Sequence, residues 1–265
     1  WDTSLTFSKT NSFWKERLPN YDYQIYQQRE NEPMSAYYYY NVTGIINTDR
    51  SNMPESQKTL QAEAQLPGCP IIEDKNKDGK IDENDVYMKD NSPAIYVGIG
   101  NTFTYKRFEF SFFMYGQFGI QKYNIAYSAA QAGPLAVDYP ENSNKFAYRL
   151  WNSQTNPNGS RPGLAIGKMG ALPGNAWVNA DRENASFMRM RNITLAYNLA
   201  GNILGSLQRY VRNIKVYVDA QNPFILTKFQ GFDPEIYTGG GGASGGSRGE
   251  HPQTRTFSLG ANITF

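Results

Sequence analysis

Arg255-Thr256-Phe257-Ser258-Leu259-Gly260-Ala261-Asn262-Ile263-Thr264-Phe265 alternates without a break. Phe257, Leu259, Ala261, Ile263 and Phe265 share one parity, while Thr256, Ser258, Gly260, Asn262 and Thr264 share the other. Successive side chains of a strand point to opposite faces, so the run predicts a strand of about ten residues with one oily and one small-polar face. That is the size and pattern of a single transmembrane β-strand.

The same period recurs upstream. Phe108, Phe110, Phe112, Met114 and Phe118 oppose Glu109, Ser111, Tyr115 and Gln117, with Phe113 the exception. Ile193, Leu195, Tyr197 and Leu199 oppose Asn192, Thr194, Ala196 and Asn198, and Ile214, Val216, Val218 and Ala220 oppose Lys215, Tyr217, Asp219 and Gln221. Ile95, Val97, Ile99, Phe103 and Tyr105 form a further set. Weaker runs at Trp1 to Lys9 and Ala36 to Thr48 bring the expectation to about seven strands. The connectors sort into long outer ones (Asp49 to Pro93, Ile120 to Ser186, Pro223 to Gln253) and short inner ones (Lys106-Arg107, Ala200 to Asn213), the habit of outer-membrane barrels. Asn11 to Ser35 falls on the inner side yet is too long for it. Gly239 to Gly249 reads as a flexible loop tip.

A mean hydropathy of −0.60 beside 14% aromatic residues and 19 tyrosines suits strands that need apolar side chains on one face only. No apolar run is long enough for a spanning helix. A net charge of +2 without a basic patch excludes a strongly basic nucleic-acid binder. Cys69 stands alone, as a small buried residue or a free thiol. The single histidine, His251, lies in a Gly-rich stretch, so no Ser/His/Asp, Cys/His or zinc-helix constellation assembles. Asp181 and Glu183 are a carboxylate pair of the kind any polar loop contains, and the chain does not read as an enzyme. It starts at Trp1 without a secretory leader, as a mature or internal segment would.

One motif carries metal chemistry. Asp74-Lys75-Asn76-Lys77-Asp78-Gly79-Lys80-Ile81-Asp82-Glu83-Asn84-Asp85 matches the twelve-residue calcium loop: oxygen side chains at positions 1, 3, 5, 9 and 12, and Gly at 6 for the sharp turn. Calcium takes six to eight oxygens, which Asp74, Asn76, Asp78, the Lys80 carbonyl, Asp82 and Asp85 would supply. Asp85 stands where a bidentate Glu is usual. With Pro70 before it and Pro93 after it, the loop lacks flanking amphipathic helices, so the expected role is structural, pinning a long connector.

Several segments in a fixed order resemble one family. Pro67-Gly68-Cys69-Pro70 leads into the acidic loop and then Tyr96 to Gly119. Arg182 to Tyr197, Val216 to Phe224, Gly231-Phe232-Asp233-Pro234-Glu235 and the closing strand follow. Together they resemble the carboxy-terminal part of a SusC-like (SusC/RagA) TonB-dependent outer-membrane transporter. Glu32 to Tyr40 with Thr43-Gly44-Ile45 resembles a further family segment, from which Tyr38, Tyr40 and Asn41 depart. A strand ending on an aromatic residue also resembles the signal read by barrel-assembly machinery.

The resemblance implies an all-β fold: antiparallel transmembrane strands forming the carboxy-terminal part of a barrel of about 22 strands with long extracellular loops. Residues 1–265 would be one such portion, with the plug domain absent. It further implies TonB-dependent active import of large oligomeric nutrients, glycans or peptides, in a SusCD-type complex. The partners would be a SusD-like surface lipoprotein, outer-membrane lipid, and TonB reached through the missing amino-terminal part. Seven strands cannot close such a barrel, so a fragment is expected. The lipoprotein is expected on Ile120 to Ser186, which carries Tyr139, Tyr148, Trp151 and Trp177, and on Pro223 to Gln253.

Two alternatives fit the alternation as well: a passive porin segment, and a secreted calcium-stapled β-sandwich acting as a carbohydrate-binding module, with Trp151 and Trp177 stacking on sugars. A barrel predicts that Phe108, Phe110, Phe112, Leu195, Tyr197, Val216, Val218, Leu259, Ile263 and Phe265 face lipid. Glu109, Tyr115, Gln117, Lys215, Tyr217, Asp219 and Asn262 would then face the lumen. A sandwich predicts the first set packed on a second sheet.

Overall fold

The computed structural model describes residues 1–265 apart from 19–21, 28–30, 91–94, 125–147, 164–165, 167–168, 232 and 236–252, and leaves out the side chains of 177, 181 and 200–202. In chain order the strands are β1 (Asp2–Ser8), β2 (Ala36–Tyr40), β3 (Val42–Ile45), β4 (Pro70–Ile72) and β5 (Tyr87–Asp90). Next come β6 (Ile95–Tyr105), β7 (Phe108–Phe118), β8 (Gln121–Tyr123), β9 (Trp177–Val178) and β10 (Arg182–Asn184). Last are β11 (Phe187–Ala200), β12 (Asn213–Gln221), β13 (Ile225–Thr227) and β14 (Thr256–Thr264). The chain forms two compact units, one of Trp1–Thr10, Ser92–Gln121 and Asn184–Phe265, the other of Asn11–Asn91 and Lys122–Glu183.

The first unit is an antiparallel sheet in the order β1-β6-β7-β11-β12-β14, with β13 also paired to β11. Its register turns the sequence alternation into faces. Phe103, Phe110, Leu195, Val218 and Leu259 lie in one row across five strands, and Thr104, Glu109, Ala196, Tyr217 and Gly260 form a row of the opposite parity. The apolar face stays bare: Leu195 is 50% exposed and Leu259 83%. Within this unit no second sheet packs on it among the described residues, as the sandwich alternative would require. Aromatic residues gather on it, with Phe108 and Tyr197 rings 4.7 Å apart near the short-turn end. Lys106 and Arg107 form the two-residue turn between β6 and β7, with Lys106 at φ 55°.

One bulge decides where a charge goes. Met190 pairs with Met114 but Asn192 with Phe113, so β11 carries one extra residue at this point. A bulge reverses parity along its strand. Arg189, which shares odd numbering with Ile193 and Leu195, therefore faces the polar side opposite Tyr115.

The second unit has its own core, built from Tyr40, Ile46, Leu60, Cys69, Ile72, Ile81, Val86 and Met169 among others. β2 pairs β5 antiparallel and β9 parallel, and β3 pairs β4. This corrects the reading of Ala36 to Thr48 as a wall strand. Tyr40 is fully buried with Tyr38 packed on the same core, and on the other face Tyr37 and Tyr39 are half-buried against Arg182 and Tyr87, whereas a wall strand keeps one face bare. The correction removes the Asn11 to Ser35 anomaly, because everything between β1 and β6 is a single long connector. Long connectors then follow β1, β7 and β12, and short ones follow β6 and β11, without exception. Gln57 is buried with all its polarity used: its amide N–H groups reach the carbonyls of Ala64 (3.0 Å) and Pro70 (3.2 Å), and its oxygen accepts from Ile72 N–H (3.0 Å). Cys69 is the buried alternative. Burial pushes its thiol up to about 11, which makes it a poor nucleophile.

Candidate functional site

The polar face of the sheet is organised by ion pairs and short hydroxyl contacts. Lys215 Nζ reaches both oxygens of Glu109 at 2.8 and 2.9 Å, and Thr194 Oγ1 donates to Asp219 at 2.6 Å. Phe113, the exception to the alternation, lies over Gly98 and Gly100, and the Tyr217 ring covers Gly260, where any Cβ would come within 2.5 Å of it. The expected lumen residues thus share one face. The most buried charges of this unit lie beyond the bulge. Arg189, 3% exposed, donates through one terminal nitrogen to both oxygens of Asp233, at 2.7 and 2.8 Å. Its Nε lies against Glu235, whose other oxygen accepts from the Tyr115 hydroxyl. Burial pushes the Glu235 carboxyl up from its ordinary value even with the guanidinium beside it. Asp233 also accepts the N–H groups of Glu235 (2.9 Å) and Gln253 (3.3 Å), so it ties together two distant points of the β12–β14 connector. Spacing in the sequence did not single out this cluster; its only signals were the Arg182 to Tyr197 and Gly231-Phe232-Asp233-Pro234-Glu235 segments of the family resemblance.

The acidic loop belongs to the second unit. Asp74 accepts the N–H groups of Asp78 (3.2 Å) and Gly79 (2.9 Å), Asn76 accepts that of Asp78 (3.1 Å), and Asp78 accepts that of Lys80 (3.1 Å). Gly79 sits at φ +87° with open space where a Cβ would be, so its backbone angle rather than crowding demands glycine. Asp85 is fully buried and closes the loop, accepting from Lys75 N–H and Asp82 N–H, both at 2.8 Å. Asp82 caps the Glu83–Asp85 turn through Asn84 N–H, a bond that holds its carboxyl below the ordinary value. Lys80 Nζ stands 3.5 Å from Asp82 and 4.0 Å from Asp78. The turn and the hard oxygen donors fit calcium, while no three His, Cys, Asp or Glu side chains converge as a metal set among the described residues.

Other sequence-level candidates spread out. Trp151 is half-buried with its ring wedged against Gly68 and Gly163, and Tyr148 is exposed. Gly239 to Gly249, His251 and Tyr139, and the side chains of Trp177 and Asp181, lie outside the described residues.

A sheet bare and apolar on one side, ion-paired on the other, with long connectors leaving one end only, is a piece of membrane β-barrel wall. No protein-family model matches the chain. It is 31% identical over 196 residues to the TonB-dependent receptor SusC of Bacteroides thetaiotaomicron, covering 72% of this chain and 17% of that protein. It is 25% identical over 284 residues to the TonB-dependent receptor P3 of Formosa agariphila, covering 100% of this chain and 27% of that protein. Among solved structures, the RagAB peptide transporter shares the fold with a TM-score of 0.64 at 21% identity, over 99% of this chain and 26% of that chain. The chain therefore spans about a quarter or less of the length of these relatives. It is a SusC-like segment of a TonB-dependent receptor, a β-barrel class of the outer membrane. These relatives are receptors and a transporter by name, in keeping with the absence of enzyme signatures from the sequence.

Proposed function

We propose that the intact protein imports large oligomeric nutrients, glycans or peptides, across the outer membrane by TonB-dependent active transport. In this reading residues 1–265 form the carboxy-terminal portion of its barrel. A SusD-like lipoprotein docks on the extracellular connectors, and TonB is met by a part of the protein outside this chain. The observation that carries the reading is the two-faced sheet, since only lipid suits its bare apolar side and only a wet interior its ion-paired side. Long connectors at one end of the sheet set the orientation, with that end extracellular. Uptake of labelled oligosaccharide and peptide mixtures by cells carrying the full-length protein tests it. Uptake should stop when a protonophore collapses the inner-membrane gradient, and a lipoprotein should copurify. Uptake insensitive to the protonophore supports the passive-pore alternative, and purification without a lipoprotein removes the partner.

The reading includes one structural calcium ion held by Asp74, Asn76, Asp78, the Lys80 carbonyl, Asp82 and Asp85. Donor chemistry and turn support it, and Ile81 and Val86, which belong to the core of that unit, tie loop closure to core packing. Calcium should bind the intact protein with measurable heat and should slow proteolysis within residues 11–91, leaving the wall strands unaffected. Asp78→Ala should abolish both effects. Equal heats from the two proteins count against the metal.

A further inference from the structure

On the short-turn side of the first unit's sheet, side chains change character in a fixed order. The apolar face closes on an aromatic band: Trp1 stacks on Phe103 with ring centroids 5.8 Å apart, Tyr105 pairs with Phe108, and Phe108 pairs with Tyr197. Aromatic bands of this kind mark the level of the lipid headgroups. Beyond the band come cations, Lys106 and Arg107 in the β6–β7 turn and Arg209 and Arg212 in the connector from β11 to β12. Backbone bonds tie both connectors to the rim of the wall. Arg107 O accepts Asn198 N–H at 2.9 Å, and Arg212 N–H donates to Thr264 O at 2.8 Å.

The protein itself leaves these charges unanswered. Lys106, Arg209 and Arg212 are exposed and form no ion pair among the described residues; Lys106 lies 5.3 Å over the Tyr105 ring. Of the acidic side chains on these strand ends, Glu109 is held by Lys215 through both oxygens, and Asp2, paired with Thr102, belongs to the polar face.

The β11–β12 connector adds an apolar surface beside the cations. Gly201–Arg209 winds as a 3₁₀ helix packed on β11, and in such a helix positions three apart eclipse. Leu204 and Leu207 nonetheless part company, the first buried and the second exposed. Gly205 breaks the helix between them at φ +54°, ψ −127°, a backbone conformation that suits glycine alone. Ile203, Leu207 and Tyr210 are left uncovered, on a segment that leaves β11 just past Leu199, which pairs with Ile214 in the last apolar row.

We propose that this rim is a docking surface for an anionic glycerophospholipid of the inner leaflet. Lys106, Arg209 and Arg212 meet its phosphate, and Ile203, Leu207 and Tyr210 lie against the upper part of its acyl chains. Two observations choose this occupant. The uncovered apolar side chains continue the bare face of the wall, and an apolar surface edged with cations complements a molecule whose phosphate crowns hydrocarbon. A soluble anion would answer the charges and leave the apolar side chains in water. Assignment to the inner leaflet rests on the orientation read from connector lengths; binding rests on neither that orientation nor import.

Tryptophan quenching tests it, with Leu207→Trp introduced into the full-length protein and read as the difference from the parent. The protein is placed in phosphatidylcholine vesicles carrying a minor fraction of brominated phosphatidylglycerol or brominated phosphatidylcholine, the same in both leaflets. Both lipids should quench the new indole, phosphatidylglycerol several-fold more effectively. Adding Lys106→Gln, Arg209→Gln and Arg212→Gln should remove that preference, by up to about fivefold for each cation lost. Inorganic phosphate should reduce it no more than chloride of equal ionic strength does. An indole quenched by neither lipid lies away from the membrane and overturns the surface. So do equal quenching by the two lipids, a preference that survives loss of the three cations, or specific competition by free phosphate. A preference lost with the cations, alongside uptake that ignores the protonophore, would keep the surface and sink the import reading.

Discussion

Arg189→Ala is expected to free the β12–β14 connector. The substitution leaves Asp233, 8% exposed, and the partly buried Glu235 facing each other without a counter-charge. Removing one partner of a buried ion pair costs about 3–5 kcal/mol, because the remaining charge stays desolvated. The loss should be local. β13 pairs with Phe187–Arg189, and Asp233 holds the N–H groups of both Glu235 and Gln253, so all of these contacts depend on the same guanidinium. Amide exchange at Ile225 to Thr227 in the full-length protein should accelerate on the order of a hundred- to several-thousandfold, with β12 and β14 unchanged. The triple variant Arg189→Met, Asp233→Asn, Glu235→Gln should recover most of the protection, since no unpaired charge is left. Exchange in Arg189→Ala indistinguishable from the parent would show that the cluster does not hold the connector.

The wall strands are legible in the sequence because lipid enforces the period. Along β14 every second residue meets hydrocarbon, so Phe257 to Phe265 admits one register and one pair of faces. Residues 36–48 misled for the opposite reason. The Ala36 to Tyr40 run is apolar enough for a strand, but Tyr38 and Tyr40 pack on a core while Tyr37 and Tyr39 are half-buried on the opposite face, a pattern that one sequence cannot separate from a weak wall strand. Arg189 was hidden by parity. Counting from Ile193 puts it in lipid, and only the extra residue at Met190/Asn192 turns it toward acids 44 and 46 positions downstream, the first of which is Asp233. The acidic loop was legible because its geometry is local: Asp74 bonds the N–H groups four and five residues on, the turn that Gly79 and the Asx side chains dictate. How far its carboxylates converge depends on Lys80 and on the buried Asp85, which spacing alone does not fix.

Ile193→Arg is expected to cost about 2–4 kcal/mol, and its depth dependence identifies the solvent. Ile193 lies in the row Asn101, Phe112, Ile193, Ala220, Phe257, near the middle of the eleven-residue strands β6 and β7. A guanidinium there is too far from either headgroup layer to reach it fully. At Leu199, paired with Ile214 beside the short-turn end, the same arginine can snorkel, and the cost should fall to about 0–1 kcal/mol. Ser111→Arg places the charge in the neighbouring row but on the polar face, between Thr102 and Thr194, where water serves it. Denaturant unfolding of the full-length protein from lipid vesicles should therefore rank Ile193→Arg as the most damaging, with Leu199→Arg and Ser111→Arg close to the parent. An apolar face that met protein would give another order, because burial against side chains does not fade toward a strand end as hydrocarbon does. Equal losses at Ile193 and Leu199 would remove lipid from that face.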